Sequence, residues 1–212
     1  MKLTAPTEFP HPELTALATH PDKPNHGSLI RLHKELNANA SSVHSPGGDG
    51  TRGHLALTIS AAAYLALTGV PHAIPAYPGA NPIIPDNPTQ HIITEANRVH
   101  AAAQASHSTW HTTGNSLKQQ LLKVIDPIYF GNLDDPVHGF SNSSVLQMLD
   151  HLDTTYGTIN PDDLIANEEE MALPWDVSTP IESLWRRIEK CTQFDPTIPA
   201  AKGVRVAATI LE

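Results

Sequence analysis

The stretch PIESLWRRIEKCTQF, residues 180–194, gives the clearest local information about the fold. Four apolar side chains recur at spacings of three and four residues, which places them on one face of an α-helix: Ile181, Leu184, Trp185 and Ile188. Pro180 is suited to a helix start, because the first N–H groups of a helix have no partner inside it. The stretch therefore predicts an amphipathic helix with one face in a core.

The same spacing occurs upstream. SVLQMLDHLDTTYG, residues 144–157, follows a candidate cap at Ser143 and ends at Gly157, and its apolar positions are Val145, Leu149, Leu152 and Tyr156. Further helices are predicted over 28–40, 61–69, 89–126, 162–173 and 199–212, with a possible break at Gly114. HLALTIS, residues 54–60, alternates and predicts a short strand. We expect an all-α, mainly helical fold of about eight helices, with at most a short N-terminal β-hairpin.

A glycine-rich segment, SPGGDGTRG at 45–53, contains the spacing G-x-G-x-x-G over residues 48–53. A dinucleotide-binding loop with this spacing follows a strand and opens a helix. Here a polar segment precedes it, a strand-like segment follows it, and no Gly-Lys of a phosphate loop is present. The spacing is better explained by a turn whose glycines supply positive φ, with nucleotide binding as the alternative.

Candidate chemistry is sparse. His100, His107 and His111 share a helix face, but over eleven residues they span about 16 Å, so only the last two could share a metal ion. Cys191 is the single cysteine, and Glu168–Glu170 is typical of a solvated helix face. We predict no catalytic, cofactor-binding or metal site, and hence no enzyme; a histidine-dependent hydrolase is the enzymatic alternative.

Charge and hydropathy limit the partners. The 212 residues contain 13 Lys and Arg against 22 Asp and Glu, a formal net charge of −9. Such a chain should bind nucleic acid weakly, because that affinity comes mainly from neutralising phosphates. We expect RNA to be bound only indirectly, through a few arginines such as Arg186 and Arg187, or through a basic tail that this sequence does not contain. No apolar run predicts a secretory signal or a membrane span.

Two segments together resemble the Gag capsid region of copia-type (Pseudoviridae-like) LTR retrotransposons. They are VLQMLDHLDTTYG, residues 145–157, and NEEEMALPWDVSTPIESLWRRIEKCTQF, residues 167–194. The resemblance covers about residues 25–212 and rests on helix-packing patterns; no zinc knuckle or protease triplet accompanies it. It implies a two-lobed retrotransposon capsid-like protein, a homo-oligomeric shell enclosing retroelement RNA in a cytoplasmic virus-like particle, with no cofactor and no membrane partner.

On this basis we expect an extended arm over 1–27, an N-terminal lobe over 28–158 and a C-terminal lobe over 159–212 that continues beyond Glu212, with the lobes joined near 157–162. The alternative is a domesticated, monomeric or dimeric adaptor that binds a protein partner. Subunit contacts are expected from the arm and from a Pro-rich loop, residues 70–88, through Phe9, Leu14, Ile74, Tyr77, Ile83 and Ile84. The predicted lobe core is Leu149, Leu152, Tyr156, Ile181, Leu184, Trp185 and Ile188, with Trp185 contributing most to stability.

Overall fold

The computed structural model describes residues 9–15, 23–195 and 198–211. This part of the chain contains seven α-helices, three 3₁₀ turns and no β-strand, which confirms the predicted all-α fold. The helices are α1 (His26–Ser42), α2 (Ala61–Thr68), α3 (Gln90–Val124), α4 (Val145–Tyr156), α5 (Pro161–Ala172), α6 (Ile181–Phe194) and α7 (Ala200–Leu211). The 3₁₀ turns are Leu55–Leu57, Pro127–Leu133 and Phe140–Asn142. None of the described helices combines the length and apolar character needed to cross a bilayer.

Local sequence signals fix several helix ends. The Ser60 hydroxyl accepts a hydrogen bond from the Ala63 N–H at 3.1 Å and so caps α2. Gly69 ends the same helix with φ of 72°, a conformation that costs glycine little. The start of α4 is capped by Ser144 and not by the predicted Ser143. Ser144 and Gln147 exchange hydrogen bonds between side chain and backbone, the reciprocal pattern of a capping box.

The strand predicted over residues 54–60 is wrong, because the segment forms a 3₁₀ turn. The N–H groups of Leu57 and Thr58 donate to carbonyls three residues earlier, at 2.9 and 3.0 Å. Gly53, with φ of 50°, turns the chain into this segment beside the backbone carbonyls of residues 41 and 43, where a Cβ atom would overlap them. The buried positions 54, 55 and 58 follow a helical spacing and not an alternating one.

Gly114 does not break α3, which is continuous over 35 residues. A Cβ atom at Gly114 would lie 3.4 Å from the Leu57 side chain, so the residue is in close contact with the Leu55–Leu57 turn. The cost of glycine in a helix, about 1 kcal/mol, is small beside the packing of the neighbouring turns.

The chain divides into two compact units. The first contains Arg31–Leu152 and the described residues before Asn25; the second contains Asn25–Ile30 and the described residues from Asp153 onward. The division falls inside α4, whereas the sequence placed it at 157–162. Fully buried side chains of the first unit come from α1, α2, α3, α4 and the turn between α3 and α4; they include Leu36, Tyr64, Leu117, Leu121, Phe130, Met148, Leu149 and Leu152.

The second unit is built on α5, α6 and α7, which pack against one another. Its core consists of Met171, Leu184, Ile188, Cys191, Ile198 and Ala207. His26, from the short segment at the start of α1, places both ring nitrogens within hydrogen-bond distance of backbone carbonyls of this unit, and its ring N–H donates to one of them. One ring nitrogen lies 3.0 Å from the Gly157 carbonyl and the other 2.9 Å from the Phe194 carbonyl. These contacts explain why the start of α1 belongs to the second unit.

Candidate functional site

The glycine-rich segment is a turn organised around Asp49. Its carboxylate accepts hydrogen bonds from the N–H groups of Thr51 and Arg52, both at 3.1 Å, and from the Thr51 hydroxyl at 2.6 Å. The Thr51 hydroxyl is the main cause that lowers the pKa of Asp49 to about 2. The backbone N–H groups that could hold a phosphate are thus already bound to an anion. This geometry favours the turn interpretation over nucleotide binding.

Gly48 shows why this turn needs glycine. Its φ is 65°, and a Cβ atom there would overlap the hydroxyl of Tyr64, which is fully buried. The Tyr64 hydroxyl donates to Asp49 Oδ1 at 3.2 Å and accepts from the Asp49 N–H at 3.3 Å. The turn therefore folds directly over the ring of Tyr64.

Beneath the turn lies a group of rings that we call the histidine cluster: His54, Tyr64, His72 and Trp110. The His72 ring is 5.0 Å from the Trp110 ring and inclined to it by 31°, and the His54 ring is 5.5 Å from Trp110 at 65°. Tyr64 and His72 meet edge to face at 5.3 Å. His54 and Trp110 are buried and His72 is half-buried. The cluster thus joins the glycine-rich turn, the start of the Pro-rich loop and the middle of α3.

The two imidazoles of the cluster are poorly supplied with hydrogen-bond partners. All four ring nitrogens are buried, and none has a partner at normal hydrogen-bond geometry among the described residues. The backbone of His44 comes close enough to His54 to favour its charged form in part. Burial lowers the pKa of His54 to about 4, aided by the neighbouring His72 and His44 rings, and burial also lowers the pKa of His72. Both rings are therefore neutral near pH 7. Unpartnered polar atoms in a protein interior are rare and call for an explanation.

The histidine row predicted on α3 is only partly assembled. The rings of His107 and His111 lie 4.3 Å apart, and Tyr77 of the Pro-rich loop contacts His107 at 5.3 Å. His100 lies two turns earlier, about 10 Å along the axis. Within the described residues, no three His, Cys, Asp or Glu side chains are arranged to hold a metal ion.

The arm segment, which we define as residues 9–15, does not present the surface that the sequence predicted. Phe9 and Leu14 are 7% and 6% exposed, so both are buried within the chain itself. The side-chain amide of Asn39 accepts from the His11 N–H and donates to the His11 carbonyl, both at 2.8 Å. Gln120 adds a bond to the same carbonyl at 3.0 Å. Polar anchors on α1 and α3 hold the segment, and helical periodicity gives no sign of them.

A second anchor lies further along the arm segment. The carboxylate of Glu35 on α1 accepts hydrogen bonds from the Thr15 N–H at 2.7 Å and the Thr15 hydroxyl at 2.6 Å. Glu35 is itself buried, so these bonds compensate for the removal of its carboxylate from water. The expectation that Phe9 and Leu14 cover a neighbouring subunit is therefore revised, because both side chains are used inside their own chain.

The Pro-rich loop, unlike the arm segment, leaves its apolar side chains exposed. It forms neither helix nor strand, as its prolines predicted. Three contacts hold it on α3: the His72 ring packs on Trp110, the Tyr77 ring lies beside His107, and Gln104 donates weakly to the Gly79 carbonyl at 3.4 Å. Its large apolar side chains are open to solvent, with Ile83 94%, Ile74 69%, Tyr77 63% and Ile84 40% exposed.

The predicted lobe core mixes residues of the two units. Leu149 and Leu152 are buried in the first unit, whereas Leu184 and Ile188 are buried in the second. Ile181 and Tyr156 are half-buried. The prediction for Trp185 is wrong, since the side chain is 46% exposed. The buried face of α6 is centred on Leu184, Ile188 and Cys191, which leaves Trp185 at its edge.

Trp175, and not Trp185, is the tryptophan that packs against the core of the second unit. Its indole N–H donates to the Thr179 hydroxyl at 3.1 Å. Cys191 is fully buried in the same core, and burial raises the pKa of its thiol. A thiol in this state is a packing group, because the reactive form is the thiolate.

An open pocket of about 570 Å³ lies in the first unit. Lys118 Nζ reaches into its wall and donates to the Phe140 carbonyl at 3.1 Å, and burial lowers the pKa of this lysine. The lining residues are Thr112, Asn115, Ser116, Lys118, Gln119, Leu122, Phe140 and Ser141.

Sequence reasoning missed both the histidine cluster and this pocket. Residues 54, 72 and 110 follow no common period, and a turn and a proline-rich segment separate them. Only the tertiary fold brings them together. The one available signal was the unusual content of 13 histidines, which does not say which of them meet.

No protein-family model matches the chain, and no curated protein or solved structure is significantly similar to it. The geometry of the molecule and the sequence resemblance are therefore the two sources for a functional interpretation.

Proposed function

We propose that the protein is a structural, Gag-like capsid subunit that self-assembles into virus-like particles enclosing retroelement RNA. The sequence resemblance to copia-type capsid regions supports this, and so does the all-α fold of two compact units. A closed shell requires repeated contacts between identical chains, so the subunit must expose surfaces for its neighbours.

The observation that carries the proposal is the apolar surface of the Pro-rich loop and the adjoining start of α3. Single exposed apolar side chains are common, but a dense series of them marks an interaction surface. Here the exposed apolar side chains recur over residues 74–99, and the loop that carries most of them is held on α3 through Gly79 and Tyr77. Its members are Ile74, Tyr77, Ile83, Ile84, Ile92 and Val99.

The backbone of the loop also favours a role in assembly. Proline fixes φ, so a loop with six prolines between residues 71 and 88 has fewer conformations to lose when it is covered. Burial of apolar side chains of such a loop against a neighbouring subunit stabilises the contact by about 25 cal/mol for each Å² of apolar surface removed from water. We therefore assign the subunit contacts to the Pro-rich loop and the start of α3, and no longer to Phe9 and Leu14.

The remaining features fit a structural role. The ring nitrogens of His54 and His72 have no hydroxyl, thiol or carboxylate partner among the described residues, so the cluster lacks the nucleophile–base pair that hydrolases use. With a net charge of −9, RNA would be enclosed through segments more basic than this chain.

Assembly is tested by light scattering coupled to gel filtration and by negative-stain electron microscopy. The wild type should form particles or large oligomers, and a double variant Ile74→Ser, Ile83→Ser should shift the protein to the 22.9 kDa monomer. Val137→Ser is the matched control, because Val137 is 81% exposed but lies outside the loop. A wild type that stays monomeric at high concentration would contradict the capsid proposal and favour the adaptor.

A further inference from the structure

The histidine cluster is a joint between the Pro-rich loop and the body of the first unit. His72 is the second residue after the loop begins, and its ring contacts Tyr64 and Trp110. It also lies against the glycine-rich turn, where a Cβ atom at Gly47 would be 3.2 Å from Nε2. Val70 at the start of the loop exchanges hydrogen bonds with the Thr68 hydroxyl at the end of α2. Beyond Val70, the fit of the His72 ring attaches this end of the loop to the glycine-rich turn and to α3.

The surroundings of the joint favour uncharged rings. The titratable groups that act on His54 are His72 and His44, and both disfavour a positive charge there, while the backbone carbonyl of His44 only partly offsets them. From α3 the contacting ring is that of Trp110, which is uncharged. Asp49 reaches the cluster through the Tyr64 hydroxyl, and its carboxylate is already satisfied by Thr51 and Arg52. Arg52, which pairs with Asp49 at 3.6 Å, adds a further positive charge on the turn.

We propose that His54 and His72 form an acid-operated latch, in which protonation of the pair releases the amino-terminal end of the Pro-rich loop from the glycine-rich turn. Neutral rings pack on Trp110 without a well-formed hydrogen bond, whereas two imidazolium rings would repel each other, and the His44 backbone near His54 would compensate only in part for a buried charge. When the joint opens, both imidazole rings become exposed to solvent. The latch belongs to the single chain and does not depend on the capsid proposal.

The direction of the pH dependence follows from linkage. In the open state a solvated histidine takes up its proton near pH 6.5, whereas in the closed state His54 does so only near pH 4. The preference for the closed state is therefore at its full value above pH 6.5 and becomes smaller as the pH falls toward 4. His54 alone changes the open-to-closed ratio by up to about tenfold per pH unit, or about 300-fold over this range. His72 adds to the effect with the same sign.

The test is an NMR titration of the full chain between pH 7.5 and about pH 4, following the histidine ring carbons and the backbone amides of residues 70–80. We expect His54 to titrate well below the ordinary histidine value and His72 below it. The loop amides should become mobile in the same range while signals from α1, α3 and α4 persist. The variant His72→Phe keeps an aromatic ring but removes one proton site, so the loop response should shrink. His91→Gln, at an exposed histidine on α3, should leave it unchanged.

Three results would overturn the latch. The first is titration of both rings near pH 6.5, which would show that they are solvated. The second is a loop response that is as large in His72→Phe as in the wild type. The third is cooperative loss of all helical signals together with the loop, because this would be global acid unfolding. The wild-type ring titration decides the matter even if His72→Phe does not fold.

Discussion

The arm segment and the Pro-rich loop are both irregular and contain proline, yet the first buries its apolar side chains and the second exposes them. Phe9 is 7% exposed, whereas Ile83 is 94% exposed. The difference lies in the polar groups that each segment meets. The arm segment is bound by the buried Asn39 and Glu35, whereas beyond Val70, which is bonded to Thr68, the described polar contact to the loop is a weak one from the Gln104 amide. An irregular segment becomes part of a core when neighbouring helices satisfy its backbone groups.

Truncation of an aromatic residue in each segment should give the largest contrast. Phe9→Ala removes a buried ring and should lower the free energy of unfolding by about 3–5 kcal/mol. Tyr77→Ala removes a ring that is 63% exposed and should cost less than about 1 kcal/mol. Urea denaturation followed by circular dichroism measures both. Equal losses would mean that the arm segment is no better packed than the loop.

Acid should weaken the attachment of the loop but not the Asn39 amide, which has no titratable proton in this range. Because the pKa of His54 is 6.5 when solvated and about 4 when folded, the first unit should keep its full stability above pH 6.5. Between pH 6.5 and 4 its free energy of unfolding should fall by up to about 3 kcal/mol, and the fall should stop where the joint opens, because the open native state takes up the same proton as the unfolded chain. Denaturation curves at several pH values give this slope. In His54→Phe the slope should become smaller, and an unchanged slope would assign the loss to other groups.

The polar anchors themselves differ in strength. Asn39→Ala leaves the His11 N–H without its partner inside the protein, so we expect a loss of about 1–3 kcal/mol in unfolding free energy. Gln104→Ala removes an exposed 3.4 Å contact to the loop and should cost under about 0.5 kcal/mol. Hydrogen exchange at the His11 amide offers an independent check, since it should become fast in Asn39→Ala only.

The smallest effect is expected for Ile83→Ser. A side chain that is 94% exposed contributes almost nothing to the fold, so the free energy of unfolding should change by less than about 0.5 kcal/mol. Thermal denaturation at low protein concentration is the suitable measurement. A clear loss of stability in the monomer would show that the loop tip is packed and would remove the contrast with the arm segment.

Much of the secondary structure could be predicted from the sequence, because its signals are local. The cap at Ser60, the glycine end at Gly69 and the periodicity of α6 need no knowledge of distant residues. The partners of each helix face could not be predicted in this way. Trp185 lies on the same sequence face as Leu184, yet the arrangement of α5 and α7 buries only Leu184. A truncation of Leu184 is consequently the one expected to destabilise the second unit.

The sites depended still more on tertiary structure. The approach of His54 and His72 to Trp110 joins residues that no period connects, and the hydrogen bonds of Asn39 to His11 cross 28 residues. The Pro-rich loop is the exception, since its prolines alone exclude helix and strand and leave its isoleucines without a regular element to cover them.

The position of Cys191 makes its labelling rate a measure of how often the second unit opens. The chain has a single thiol, and this thiol is fully buried in the core of the second unit with a raised pKa. A thiol reagent can attack it only during moments when α5, α6 and α7 separate, so the labelling rate reports how often that unit opens. The buried side chains of the first unit include no cysteine, so opening of the first unit does not change the amount of labelled thiol. Thiol labelling followed by mass spectrometry therefore measures the opening rate of the second unit without a contribution from the first.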